Sequence, residues 1–233
     1  MNWNVGNKNS ASVTRISEDL SISPALAFLL VNLGLEDEKL AGEFLNPKLE
    51  HLSNPYSVSN LKLGVERLSR AIDQKEKVFI FGDYDVDGIT SIVQLVSMLR
   101  RYDLDPDYCV PLRLSEGYGL TKEAIDRALA QRVPDLMIVV DCGTNSKESI
   151  DYLNSLGVSV IIIDHHQQST EAVEQCILIN PHVNDLESKD QGWFNLSAAG
   201  LVFKFLHGFI KYRREQKDSL AQSIKLSQII DLA

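Results

Sequence analysis

The chain has 233 residues, of which 44% are hydrophobic and 24% charged, and carries a formal net charge of −9. That is enough apolar material for one large domain, or a domain with a smaller companion, and the acidic balance gives no electrostatic footprint for nucleic acid, although bound divalent cations and a local basic groove can override a net charge. Three widely spaced cysteines, a start without signal-peptide character and the lack of an apolar run near the roughly 20 residues of a membrane span point to a reducing, cytoplasmic setting.

The first 60 residues read as a small helical segment ending in a linker. "SPALAFLLVNLG" (23–34) has Ser23 as cap, Pro24 at the first helical position and Gly34 as terminator; "EDEKLAGEFLN" (36–46) reads as a second short helix. "NPKLEHLSNPYSVSN" (46–60) is rich in Asn, Pro and Ser, as linkers are. A helix over about 60–74 follows, with Leu61, Val65, Leu68 and Ile72 on one face.

From Lys77 onward, apolar runs at 78–81, 107–112, 136–140, 158–163 and 176–180 alternate with helical patterns at 88–101, 121–132 and 146–156. A polar loop (181–195) and two helical stretches, about 197–214 and 218–232, complete the chain. Strands alternating with helices predict an α/β domain over 61–233, its mostly parallel sheet flanked by helices. Runs that are continuously apolar fit strands covered on both faces. The last stretch stops at "IIDLA" in mid-pattern, so the domain reads as truncated at its C-terminal end.

Polar residues follow three of these strands at once. "VFIF" runs into Gly82-Asp83-Tyr84-Asp85-Val86-Asp87-Gly88, "LMIVV" into Asp141-Cys142-Gly143, and "VSVIII" into Asp164-His165-His166. In a parallel sheet the carboxyl ends of the strands open on one edge, where such folds place their ligands, so the three clusters are expected to converge. Aspartates at alternate positions repel one another unless a cation sits among them. Carboxylates with imidazole suit Mn²⁺ or Mg²⁺, and bridging carboxylates suggest two ions roughly 4 Å apart, an arrangement that activates water and clamps a phosphate oxygen.

Plainer readings exist for each cluster. "DYDVDGITSIVQ" opens like an EF-hand calcium loop, but Gln94 stands where the bidentate Glu belongs, and the loop follows a strand rather than a helix. Asp87 could cap the next helix, Asp141 could cap a strand end, and 164–166 could be a solvated turn. Arg113, with Gly117 and Tyr118, lies after the second strand and could hold a DNA phosphate, or could be a surface charge beside a glycine turn. His182 reads as a hydrogen-bonded loop histidine, and "KYRREQK" (211–217) as a solvated helix face.

Asp164-His165-His166 after an apolar strand, with D-x-D-G at 85–88 and V-D-C-G at 140–143 upstream, resembles the DHH phosphoesterase family. "PLRLSEGYGL" (111–120), "INPH" (179–182) and "LSAAGLVFKFL" (196–206) are similar to its bacterial exonucleases specific for single-stranded DNA. The resemblance implies that Asp85 and Asp87 bind two ions, that Asp141 bridges them, that His165 completes one shell, and that Asp83 is an accessory carboxylate. His166 would face the scissile phosphate while Asp164 orients the imidazoles. It further implies single-stranded DNA as partner, a place in repair and recombination, and contacts with a helicase or a single-strand-binding protein. Other DHH hydrolases act on cyclic dinucleotides, oligoribonucleotides or pyrophosphate, and a non-catalytic binding module could keep the fold. Two departures stand out. Phe81 occupies a position that is often His elsewhere in the family, implying weaker binding of one ion, and a further metal-binding Asp and a second domain are expected beyond "IIDLA".

Overall fold

The computed structural model describes residues 10–112, 114–117, 119–169, 171–189 and 191–232. Arg113 and Tyr118 lie outside the described residues. The chain divides into two compact units, Met1–Leu52 and Ser53–Ala233.

The first unit holds α1 (Ser10–Asp19), α2 (Pro24–Asn32) and α3 (Glu38–Leu45) around Ile16, Ala27, Leu30, Val31 and Ala41. Ser23 accepts from the Leu26 amide at the start of α2, and Gly34 closes it at φ +83°. Asp37 caps α3 in the same way through the Leu40 amide. α1 was not expected, because "SASVTRISED" offers only Val13 and Ile16 as apolar anchors. Those two residues face the α2–α3 pair, and that packing rather than propensity makes the helix.

The second unit is a five-stranded sheet with order β2-β1-β3-β4-β5 and parallel pairing throughout. The strands are β1 (Val78–Gly82), β2 (Asp107–Cys109), β3 (Leu136–Val140), β4 (Ser159–Ile163) and β5 (Ile177–Ile179). Every residue of β1 and β3 is buried, as expected for central strands with helices on both sides. On one face Phe79, Phe81, Met137, Val139, Val160 and Ile162 pack against α6 (Lys122–Leu129) and α7 (Lys147–Ser155). The other face carries α4 (Leu61–Asp73), α5 (Val86–Arg101) and α9 (Ala198–Glu215). All three cysteines sit in or against the first of these cores as free thiols.

Three expectations need correction. The strand at 107–112 is only three residues long, since β2 is an edge strand and the Val110 carbonyl beyond it is taken by Arg127. The loop at 181–195 contains a short helix, α8 (Pro181–Asn184), and a 3₁₀ turn at Leu186–Ser188. The stretch at 218–232 is not one helix: α10 (Ser219–Ser223) ends where Ile224 turns extended and buries its side chain, and two 3₁₀ turns follow. Arg214 donates to the Ala221 and Ile224 carbonyls, which a continuing helix would have used itself. No helix among the described residues is long and apolar enough to cross a membrane.

Candidate metal centre

Strand register builds this site. Gly82 lies opposite Val140, Val140 opposite Ile163, and Ile163 opposite Ile179, so four neighbouring strands finish level. The next residue of each is polar: Asp83, Asp141, Asp164 and Asn180. They form a row along the carboxyl edge of the sheet, with relative exposures of 1%, 2%, 1% and 0%. With strand order 2-1-3-4-5 the topological switch point falls between β1 and β3, between the Asp83 and Asp141 loops.

Two side-chain groups at this rim could hold a metal ion. Asp83, Asp85 and Asp141 offer oxygens within 4.8 Å of one another, and so do the ligand atoms of Asp141, His165 and His166. Asp141 belongs to both. Its φ of +58° turns the chain out of β3, a conformation that Asp tolerates better than most side chains. Burial raises its pKa to about 6; the His165 hydrogen bond opposes this, while the charges of Asp87 and Asp85 add to it. A buried carboxylate facing other carboxylates is short of positive charge, and that is the property that fits a divalent cation.

Asp85 caps α5, accepting from the Gly88 amide at 3.0 Å. Its burial acts to raise the pKa, but that hydrogen bond, with help from Asp141 and the Asp87 amide, holds it below the usual value. The glycine of the D-x-D-G motif is sterically required, since a Cβ on Gly88 would overlap the Asp83 carbonyl. Asp87, considered above as the α5 cap, caps α9 instead. Its two oxygens accept from the Ala198 and Ala199 amides at 2.8 and 2.7 Å, while Ser197 caps the same helix through the Gly200 amide. Asp87 is absent from both ligand groups, although its Oδ2 lies 3.5 Å from His165 Nε2. Gln94, the residue that spoils a calcium loop, is buried and donates to the Ala199 and Leu232 carbonyls.

The histidines are held from behind. Asp164 Oδ1 accepts from the His165 amide, the His166 amide and His166 Nδ1, the last at 2.7 Å, and Oδ2 accepts from the Thr144 amide at 3.1 Å. Burial would raise the Asp164 pKa, yet these donors, His166 first, bring it down to about 2. An Nδ1–H pointed at Asp164 places the lone pair of His166 on Nε2. His165 Nε2 stands 3.3 Å from Asp141 Oδ1, and that contact raises the imidazole pKa.

An open cleft of about 710 Å³ adjoins Asp85 and Asp87 and is bounded by Thr90, Ser197 and Asp231. A second cavity, of about 760 Å³, opens past the histidines beside Gln167, His182 and Phe194. Sequence reasoning found the acids and histidines but missed what fixes them. Thr144 and Asn180 are buried and join the loops after β3 and β5, and Asn145 clamps the residues after His166 through Gln167 and Ser169. In "INPH" the Asn makes the contacts; His182, expected as a hydrogen-bonded loop histidine, lies instead in α8 with its Nδ1 buried and without a hydrogen-bond partner among the described residues, its ring tilted against Phe194 at a centroid distance of 4.7 Å.

The remaining motifs are mostly structural ties. Gly117 is exposed at φ +81°, in open space. Glu116 of the same loop pairs with Arg127 and accepts from the Leu112 amide. In the basic run at 211–217, Arg213 bonds to Asp73, Asp218 and Ser69 and Arg214 to two carbonyls, while residues 214–217 are exposed, as expected of a solvated helix face.

Residues 77–231 match the model of the DHH family, N-terminal domain. The single-stranded-DNA-specific exonuclease RecJ of Bacillus subtilis is 30% identical over 236 residues, covering 100% of this chain and 29% of that protein. The RecJ of Escherichia coli is 31% identical over 160 residues, 68% of this chain and 27% of that protein. The chain thus spans under a third of the length of these curated relatives. Among solved structures, an exonuclease RecJ bound to manganese superposes with a TM-score of 0.60 at 28% identity, over 69% of this chain and 40% of that one. RecJ of Thermus thermophilus in complex with Mn²⁺ gives a TM-score of 0.67 at 24% identity, over 88% of this chain and 28% of that one, and shares the fold.

Proposed function

The chain belongs to the DHH family, and from that membership and the two ligand groups that share Asp141 we propose that it serves metal-dependent phosphodiester hydrolysis, specifically 5′ to 3′ removal of nucleotides from single-stranded DNA. Residues 61–233 carry the chemistry in this reading, and the helical segment before them is an accessory unit. Asp83, Asp85 and Asp141 form one ligand group and Asp141, His165 and His166 the other, with Asp87 at the rim beside His165. Divalent ions bound there would supply charge neutralisation at the phosphate and a water acidic enough to react near neutral pH.

The protein's own residues have distinct tasks. Asp141 links the two groups from its buried position at the end of β3. Asp164, already saturated by donors, holds the ring of His166; a neutral ring would offer Nε2 to an ion of the second group, and a protonated one would donate to a phosphate oxygen. His165 shares a proton or an ion with Asp141. A chain of net charge −9 repels a polyanion, so affinity for DNA must come through cations in the crevice and local donors such as Arg113, with Gly117 and Tyr118 in the same segment. Helicases and single-strand-binding proteins are partners by the same reading.

The observation that carries the reading is Asp141, common to both ligand groups. The test is incubation of the protein with Mn²⁺ or Mg²⁺ and end-labelled single-stranded and duplex DNA, beside oligoribonucleotides, cyclic dinucleotides and pyrophosphate. Release of mononucleotides from the 5′ end of the single strand, stopped by a chelator, is expected. Turnover of another substrate alone would assign a different DHH hydrolase, and Mn²⁺ binding without hydrolysis of any would assign a binding module.

A further inference from the structure

We infer that Asn180 is a positioning residue, the member of the rim row that locks the Asp141 loop and the histidine loop at a fixed separation; the inference rests on the metal-dependent reading above. The row is acidic at the ends of β1, β3 and β4 and turns to an amide at the end of β5. Asn180 is fully buried. One amide hydrogen goes to Thr144 Oγ1 at 2.8 Å and the other to the His166 carbonyl at 2.9 Å, while Oδ1 accepts from the His182 amide at 2.9 Å. Both donors are therefore used, and each leads to a different loop.

These two ties close a ring. Thr144, three residues past Asp141, takes the Asn180 amide on its hydroxyl and gives its own backbone N–H to Asp164 Oδ2. Asp164 Oδ1 holds the ring of His166, and the His166 carbonyl returns to Asn180. Every link runs through a buried or part-buried polar atom, where an unmade hydrogen bond costs far more than one made in water. Ligand atoms must hold their places within a few tenths of an ångström to keep a small, hard cation, and polar groups behind the ligands supply that constraint. Asp141 and His165 both depend on the loops this ring joins.

Side-chain chemistry decides which replacements test the idea. Asp at 180 keeps the shape but cannot donate, and would set a carboxylate against the His166 carbonyl. Leu keeps the volume and loses every bond. Thr144→Val removes the acceptor of one tie and preserves shape, whereas Thr144→Ser preserves the hydroxyl.

The experiment measures Mn²⁺ affinity by calorimetry and hydrolysis of single-stranded DNA in parallel, for the wild type, Asn180→Asp, Asn180→Leu, Thr144→Val and Thr144→Ser. Ile161→Val, a core change on β4, serves as a control for lost stability without a lost tie. The expected result is a fall in Mn²⁺ affinity of about 10- to 100-fold in Asn180→Asp, Asn180→Leu and Thr144→Val, the range for losing a group that supports a ligand. Thr144→Ser should stay within about threefold of the wild type, and Ile161→Val should bind Mn²⁺ normally at a lowered melting temperature. kcat should drop in the affected variants with KM for DNA little changed. Wild-type affinity and kcat in Asn180→Leu, or in Thr144→Val if Asn180→Leu does not fold, would overturn the inference. Failure of the wild type itself to bind Mn²⁺ would instead overturn the reading it rests on.

Discussion

Asp141 and Asp164 stand side by side at the ends of adjacent strands, equally buried, and yet they are opposites. Asp164 is surrounded by donors, two backbone amides and the His166 ring on one oxygen and the Thr144 amide on the other, and burial is outweighed until its pKa reaches about 2. Asp141 faces His165 and the charges of Asp85 and Asp87, and burial drives its pKa up to about 6. The first carboxylate is already neutralised by the fold. The second is left for something that comes from outside. A buried acid is thus read by its donors rather than by its depth, and that criterion separates the part of the rim that holds shape from the part that awaits charge.

Exchanging each acid for its amide should sharpen the contrast most. Asp141→Asn should reduce Mn²⁺ affinity on the order of 100-fold or more while leaving the metal-free protein as stable as before or more so, because it removes a charge that burial disfavours. Asp164→Asn should do the reverse to stability, costing on the order of 3–5 kcal/mol by leaving amides and His166 without their anion, as for a broken buried ion pair. Calorimetry with chemical denaturation reads both. Metal addition comes next: Mn²⁺ at 100 times its dissociation constant should stabilise the wild type by about 2.7 kcal/mol, and Asp141→Asn should show no such gain. Asp87→Ala, which strips both cap bonds from the start of α9, should lower stability by roughly 0.5–2 kcal/mol in the absence of metal, as measured by thermal unfolding.

A further effect is in pH, and the two acids pull in opposite directions. Asp141 binds its proton more tightly folded than unfolded, so its contribution is full below about 3.8 and is lost as pH rises through about 6. Asp164 is the mirror case: its contribution is full above 3.8 and is lost as pH falls through about 2. A stability profile of the metal-free protein should therefore decline between pH 4 and 6, and saturating Mn²⁺ should remove that decline.

The sheet was legible because its strands are continuous apolar runs of four to six residues between helical periods, a pattern with few alternatives. The rim was legible in its acids and histidines, since each follows a strand directly. Three things were not. Level strand ends, which set Asp83, Asp141, Asp164 and Asn180 in one row, depend on register and cannot be read from spacing across loops of different length. Asp87 is expected from the sequence as an ion ligand or as a cap of the helix that follows it, whereas its hydrogen-bond partners are amides 111 and 112 positions away. Asn180 carries no charge and follows a short strand, so nothing in the sequence marks its amide as buried and bonded to Thr144. α1 was missed for the plainer reason that two apolar residues make a poor period.

Anomalous diffraction from crystals grown in Mn²⁺ tests the central claim most directly. The account predicts manganese peaks within coordination distance of Asp141, one shared with Asp83 or Asp85 and one with His165, and the loss of both in Asp141→Asn. Manganese found elsewhere on the protein, or bound at this rim without Asp141 as a ligand, would contradict it.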